Sequence, residues 1–452
     1  YTDANTNERI TLLDTPISPY VLFDGAIAVY TVSSQMGFEA ILTGHKPVVF
    51  GQPFYIGWGL TEDRKPLDRR QRKLTRNQLF AASMLLYPKW YDPFHDRLCS
   101  FEHATATLTA AARTWRDDHA RWDAHGMKLW KRKPLQAFFG RYKPVKFATK
   151  IGARRQMVWA GKTTEALEMH GVSRIEDGFL RSRGLGADLI PPLSLVVDDL
   201  GIYYDPSRPS RLETLIEASA ALSDADRRRA EALIATLIGE RLSKYNLGGA
   251  NVADLPTGRR ILVPGQVEDD ASIRLGATDV TTNHGLLAAA RKANPAAVII
   301  YKPHPDVEAG LRKGTVSEAT SLADVVATKA DPLALIDQVD EVWTMTSLLG
   351  FEALLRGKKV TCLGSPFYAG WGLTDDRAMP VTRRSASPDV IALAHAVLID
   401  YPRYFDPKSG LPCPVEVAVE RLATGDIPRP SQFNRIAAKL QGAFASYAHL
   451  WR

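Results

Sequence analysis

The chain has 452 residues, 45% hydrophobic and 24% charged, with a formal net charge of +7. That balance suits a protein with several packed cores and excludes a disordered or fibrous chain. No apolar run reaches the roughly 18 residues a spanning helix needs, and Cys99, Cys362 and Cys413 fit neither a metal spacing nor a disulfide framework, which suits a reducing compartment.

Residues 34–64 read SQMGFEAILTGHKPVVFGQPFYIGWGLTEDR, and residues 347–377 read SLLGFEALLRGKKVTCLGSPFYAGWGLTDDR, at a constant offset of 313 that Trp58 and Trp371 share. Self-similarity at a domain-sized spacing marks a duplicated module, since solenoid periods are far shorter. Only about thirty residues precede the first copy, so the expectation is the tail of one module followed by one whole module. No basic, apolar leader follows Tyr1.

Residues 1–115 are expected to be the C-terminal remnant of the first module, with a strand in AIAVYTV, a helix from about Ser34 and a VVF strand. YPKWYDP at 87–93 answers YPRYFDP at 401–407. Residues 116–146 are expected to be a basic linker; 125–155 hold many Lys and Arg and no acid. Two readings of this stretch stay open. One is a solvated connection. The other is a surface for anionic lipid, where each cation contributes about 1 kcal/mol, and the interleaved Trp130, Phe138, Phe139 and Tyr142 favour it.

Residues 147–257 are expected to form the first α/β half of the complete module, with strands at MVWA, LSLVVD and GIYYD. A helix at 223–238 is capped by Ser223 or Asp224. Residues 258–430 form the second half. RRILVPG, AVIIYKP, EVWTMT and KKVTCLG are strand-sized runs alternating with the helical GLLAAARKA and GFEALLRG. That alternation predicts a parallel sheet with ligands beyond its carboxyl ends, with Cys362 on a buried strand. Residues 431–452 predict a final helix, with Ile436, Leu440, Phe444 and Tyr447 at helical spacing. It either packs on the core or anchors at an interface.

The polar signals sit at the strand ends. In EDGFLRS, Glu176 and Asp177 point to opposite faces of an extended strand, one toward a cleft; an ordinary Asp-Gly turn is the alternative. QVEDDAS gathers Glu268, Asp269 and Asp270, either a site that needs cations or hydroxyls or a helix start capped by Asp270 and Ser272. In KPHPD, His304 is held between two prolines, and a rigid imidazole beside Lys302 suits a phosphate. TMTSLLGFEALLRG puts Thr346 and Ser347 where a strand becomes a helix, a geometry that serves both a cap and an anion site. Glu352 lies one turn further in. PFYAGWGLTDDR, rich in aromatics and glycines, either stacks on a sugar or base or, the favoured reading, locks the chain crossing between halves. Asp224 and Asp226 resemble a metal-binding pair only superficially, and there is no Walker loop, GxGxxG, GxSxG or Cys/His cluster.

Taken in order, EDGFLRSRGLG, PPLSLVVDDLGIYYD, LSKYNLG, VPGQVEDDASI, YKPHPDV, TMTSLLGFEALLRGKKV and PFYAGWGLTDDR closely resemble the two-module capsular polysaccharide β-Kdo transferases of the KpsC type, over nearly the whole chain. The resemblance implies an α/β, GT-B-like pair of Rossmann-type domains, with CMP-β-Kdo as donor and no metal or bound cofactor. It implies growth of a poly-Kdo linker on a phosphatidylglycerol-type lipid for capsule export, with module position favouring the (2→7) linkage. It casts Asp270 as the nucleophile of a retaining two-step displacement, Glu176 or Asp177 as general base, and His304 with Lys302 at the departing phosphate. Gln266, Ser272, Thr346, Ser347 and Glu352 would bind the donor. Arg181, Ser243, Lys244 and Asn246 are weaker candidates for the sugar carboxylate and acceptor. The implied setting is the cytoplasmic face of a Gram-negative inner membrane, with anionic lipid and other capsule assembly and export proteins as partners and no nucleic acid. The first module keeps Ser33, Ser34, Gly37, Phe38 and Glu39 but lacks the EDG, QxxxDxS and HP motifs here, so it is not expected to be catalytic. The rivals are a CMP-sialic acid-dependent polysialyltransferase-like enzyme and a nonenzymatic adaptor for anionic lipid.

Overall fold

The computed structural model describes residues 9–184, 190–250 and 254–427. The predicted helix at 431–452 therefore lies outside the described residues. The chain divides into two compact units, residues 1–104 and 105–452; the expected boundary at 115 falls inside the helix Phe101–Asp118.

The first unit is built around a parallel sheet of Tyr30–Thr31, Val48–Val49 and Glu62–Asp63. The predicted helix appears as Met36–Leu42. Its Phe38 and Ile41 pack with Val49, Tyr55, Ile56 and Leu79 in a small core.

The second unit holds two sheets. One has the order Val325–Val326, Val298–Lys302, Arg260–Pro264, Glu341–Thr344, Lys359–Cys362, Asp375–Asp376, every neighbour parallel. In chain order this is 3-2-1-4-5-6, the doubly wound arrangement. Its central strands Arg260–Pro264, Val298–Lys302 and Glu341–Thr344 are buried, so they read as continuous apolar runs. Cys362 is buried on one of them, as expected.

The other sheet is mixed. From one edge it runs Leu411–Cys413, Pro402–Asp406, Ser194–Asp198, Ser173–Asp177, Arg155–Trp159, Trp122–His125, Lys146–Phe147; the first four are antiparallel to one another and the rest parallel. Three expectations are corrected by it. The segment 116–146 is no linker, because Trp122–His125 is an inner strand and Leu135, Phe138 and Phe139 enter the core beneath it. Their i, i+3, i+4 spacing turns the apolar face inward and leaves Arg132 and Lys133 exposed. The second half also ends before 430, since Pro402–Asp406 and Leu411–Cys413 return to this mixed sheet. Finally, GIYYD is a turn. The buried Asp198 carboxylate accepts from the amides of Leu200 (3.0 Å) and Gly201 (2.8 Å) and bends the chain. The helix at 223–238 is found as Asp224–Gly239, with Ser223 as its cap.

The duplicated motif builds the same lock in each unit. Trp58 Nε1 donates to Phe54 O and Trp371 Nε1 to Phe367 O, both at 2.8 Å. Gly57 N and Gly370 N reach Asp63 and Asp376, also at 2.8 Å. In the second unit the lock crosses the halves. Arg384 binds Pro366 O (2.6 Å) and Ala369 O (2.7 Å) and also Glu213 Oε1 (2.8 Å), while Arg383 takes Glu213 Oε2 (2.7 Å). Glu213 belongs to the helix Arg211–Ser219 of the first half, so the motif has the structural role expected of it.

Candidate active site

A doubly wound sheet has its crevice where strand order reverses, here between Arg260–Pro264 and Glu341–Thr344. Gln266 lies just past the first strand and Thr346 just past the second. Gln266 Oε1 accepts from Thr346 N (2.9 Å) and Gln266 Nε2 donates to Thr346 Oγ1 (3.0 Å). The Gln266 backbone is held in turn by Asn283, whose Oδ1 accepts from Gln266 N and whose Nδ2 donates to Gln266 O, both at 2.8 Å. The buried amide is thus a strut across the switch point.

Beyond the strut lies a cavity of about 630 Å³ lined from both halves of the second unit. Glu176, Asp177, Ser243, Lys244, Asn246, Gln266, Asp270, Ser272, Lys302, His304, Thr346, Ser347 and Glu352 all reach it. Arg181 does not line it. Arg181 is 1% exposed, and its Nε donates to Asp177 Oδ2 at 2.8 Å. It orients a site carboxylate rather than meeting substrate. Both Glu176 and Asp177 line the cavity, against the expectation that only one would, because the strand Ser173–Asp177 ends there and the chain turns at Gly178.

Of the acidic trio only Asp270 reaches the cavity. Glu268 accepts from Asn283 N (2.8 Å) and Asp269 pairs with Arg312 (2.9 Å). Asp270 caps Ala271–Gly276, its Oδ2 accepting from Ser272 N (3.3 Å) and Ser272 Oγ (2.7 Å). Cap and exposed cavity carboxylate are therefore one group. His304 Nδ1 accepts from Asp306 N at 3.1 Å. That bond leaves the neutral ring's proton on Nε2, and burial pushes the His304 pKa below its ordinary value. Lys302 is also pushed down by burial, and its Nζ is held by Pro303 O (2.8 Å) and Glu308 (3.3 Å). At the helix Leu348–Leu355, Ser347 Oγ accepts from Leu349 N (3.2 Å), and Ser347 N donates to Thr344 Oγ1 (3.0 Å).

Two carboxylates have unusual protonation. Burial, then the charge of Asp177, pushes Glu176 up to about 7. Burial, with a smaller push from the charge of Asp331, drives Glu352 up to about 7, against Arg356 and the Lys244 amide on its Oε1 (3.2 Å). Burial opposes the Lys244 ammonium, but Tyr203, Tyr245, Asp177 and Glu176 together raise its pKa. Ser243 and Asn246 hold each other: Asn246 Oδ1 accepts from Ser243 N (2.9 Å) and Ser243 Oγ accepts from Asn246 N (3.1 Å). They present Lys244 to the cavity and are not free polar groups.

Sequence reasoning missed Tyr203, Tyr204, Arg241, Lys329 and Asp331, which also line the cavity. The tyrosines sit in the GIYYD turn read as a strand; the others lie on loops without a motif. Among the described residues, no group of three or more His, Cys, Asp or Glu is placed to hold a metal. The arrangement offers an exposed carboxylate, a carboxylate poised near neutrality, a neutral imidazole donor and a buried cation in one cavity. That set suits displacement at a carbon bearing an anionic leaving group.

A family model described as "Capsule polysaccharide biosynthesis protein" matches residues 2–89 and 153–404. The chain belongs to the capsule polysaccharide biosynthesis family. It is 42% identical over 448 residues to the capsule polysaccharide modification protein LipA of Neisseria meningitidis serogroup B, a match covering 93% of this chain and 63% of that protein. The lipopolysaccharide-processing protein LpsZ of Rhizobium meliloti is 41% identical over 322 residues, covering 66% of this chain and 73% of LpsZ. Two solved structures are similar at 33% identity, each covering 68% of this chain. They are the β-Kdo 2,4 transferase of Thermosulfurimonas dismutans KpsC (TM-score 0.61, 98% of that structure) and the β-Kdo 2,7 transferase of the same KpsC (TM-score 0.56, 99%). The chain spans under two thirds of the length of the Neisseria relative. Among the described residues no helix is long and apolar enough to cross a membrane.

Proposed function

We propose that the second unit transfers Kdo from CMP-β-Kdo to a lipid-linked Kdo acceptor with retention of configuration. What carries the reading is the meeting of Asp270, Glu176 and His304 on one cavity at the switch point of a doubly wound sheet. The likeness to two β-Kdo transferases at 33% identity supports it. In the first step Asp270 attacks the anomeric carbon, the bond from that carbon to the phosphate oxygen breaks, and CMP leaves. His304 Nε2–H and the start of Leu348–Leu355 take up the phosphate charge. In the second step Glu176 takes the proton of the acceptor hydroxyl, whose oxygen displaces Asp270 from the same carbon. Two inversions give net retention.

The acceptor is read as a lipid at the cytoplasmic face of the inner membrane. The exposed Lys128, Leu129, Trp130, Arg132, Lys133, Tyr142 and Lys143 support this, since they mix cations with apolar groups on one segment.

Asp270→Ala tests the mechanism. CMP release from CMP-Kdo in the presence of acceptor should fall at least about 1000-fold, while CMP binding measured by calorimetry changes little. Turnover near that of the parent chain would remove Asp270 from the mechanism.

A further inference from the structure

Lys131 lies in the first turn of the helix Leu129–Phe139, on the segment that charge pattern alone assigns to a linker. Its ammonium sits over the ring of Trp159, at the carboxyl end of the strand Arg155–Trp159. Trp159 pairs in register with Ile175, the residue before Glu176. The helix thus delivers a half-buried cation to the strand end that carries the two cavity carboxylates. Among the described residues that ammonium makes no hydrogen bond, and the acids whose charges act on it are Glu176 and Asp177. Sequence spacing hides this, since 45 positions separate Lys131 from Glu176.

We propose that Lys131 is a positioning residue that keeps Glu176 ionised enough to accept a proton. The inference rests on the reading of Glu176 as the base. Asp177 opposes ionisation of Glu176 from its own strand, Tyr203 and Tyr204 face it from the turn after Ser194–Asp198, and Lys244 faces it from the loop after Asp224–Gly239. Arg181 and Lys128 lie beside Lys131 itself and oppose its charge. Burial and these cations bring Lys131 down to about 8, and Glu176 stands at about 7. A cation over an aromatic face keeps its charge with little hydration, which suits a site that must exclude water.

The test is a carboxyl-carbon NMR titration of the chain labelled at the glutamate side-chain carboxyl carbon, with Glu176→Gln assigning the signal. Lys131→Met should raise the Glu176 midpoint by about one pH unit, and Lys131→Arg should leave it in place. An unmoved midpoint in Lys131→Met overturns the proposal, as does an equal shift in Lys131→Arg, which would mark a packing effect. The titration needs no turnover, so it separates this inference from the reading of the activity. The acidic limb of the kcat/KM profile should move by the same amount in Lys131→Met; a limb that stays while the midpoint moves would remove Glu176 as the base.

Discussion

Glu352 shows how much a single buried carboxyl can reveal. It sits on the helix Leu348–Leu355 at 8% exposure, lines the cavity and is driven up to about 7 by burial. In the unfolded chain it returns to the ordinary carboxylate range near 4.3. Between those values the folded state holds a proton that the unfolded state has lost. Stability from this group is therefore full below about pH 4.5 and declines as pH rises toward 7, by at most about 1.4 kcal/mol per pH unit. Urea denaturation across that range should show a shallower decline for Glu352→Gln than for the parent chain. An unchanged slope would mean that Glu352 is already ionised in the fold. The motif around Thr346 and Ser347 pointed to this helix start from sequence, but the commitments of each polar atom did not follow. That Gln266 serves as a strut depends on a contact across 80 residues that no local pattern encodes, and that Arg181 backs Asp177 depends on how the chain turns at Gly178.

At the scale of elements, the duplicated motif supplies its own control. A Cβ added at Gly350 would lie 2.2 Å from Tyr368 Oη, and one at Gly37 would lie 2.3 Å from Tyr55 Oη. Each tyrosine hydroxyl is pinned to the carbonyl of Ser347 or Ser34 and has no free direction to retreat. Gly350→Ala should cost about 1–3 kcal/mol of unfolding free energy. Gly239→Ala, where nothing lies within 4 Å, should be neutral or stabilising by up to about 1 kcal/mol. Equal denaturant midpoints for the two variants would contradict the close approach. The parallel sheet was legible because alternating strand and helix runs leave little topological choice. The segment 116–146 was not, because its many cations mask the apolar residues, such as Trp122, Leu135 and Phe139, that fill the core. Trp122 Nε1 donates to the buried Asp118 (2.8 Å), which Arg403 also binds (2.6 Å) from the returning chain. A linker reading misses an anchor whose partner lies 285 positions away.

The same long-range return organises the second unit as a whole. The chain leaves the doubly wound sheet after Asp375–Asp376, passes the Arg383, Arg384 and Glu213 contacts, and adds Pro402–Asp406 to the mixed sheet beside Ser194–Asp198. Removing the buried Arg384 leaves Glu213 with Arg383 alone, so Arg384→Met should destabilise the unit by about 3 kcal/mol. It should also loosen the cavity, seen as weaker CMP binding; unaltered stability would mean that the halves are held elsewhere. Tyr87 is 89% exposed where its counterpart Tyr401 is fully buried. The central claim, that the cavity of the second unit moves Kdo, meets its most direct test in mass spectrometry of a synthetic Kdo-lipid acceptor incubated with the chain and either CMP-Kdo or CMP-sialic acid. The account predicts an acceptor heavier by Kdo residues with CMP-Kdo alone, and no product from Asp270→Ala. Transfer of sialic acid instead, or product formation by Asp270→Ala, would contradict it.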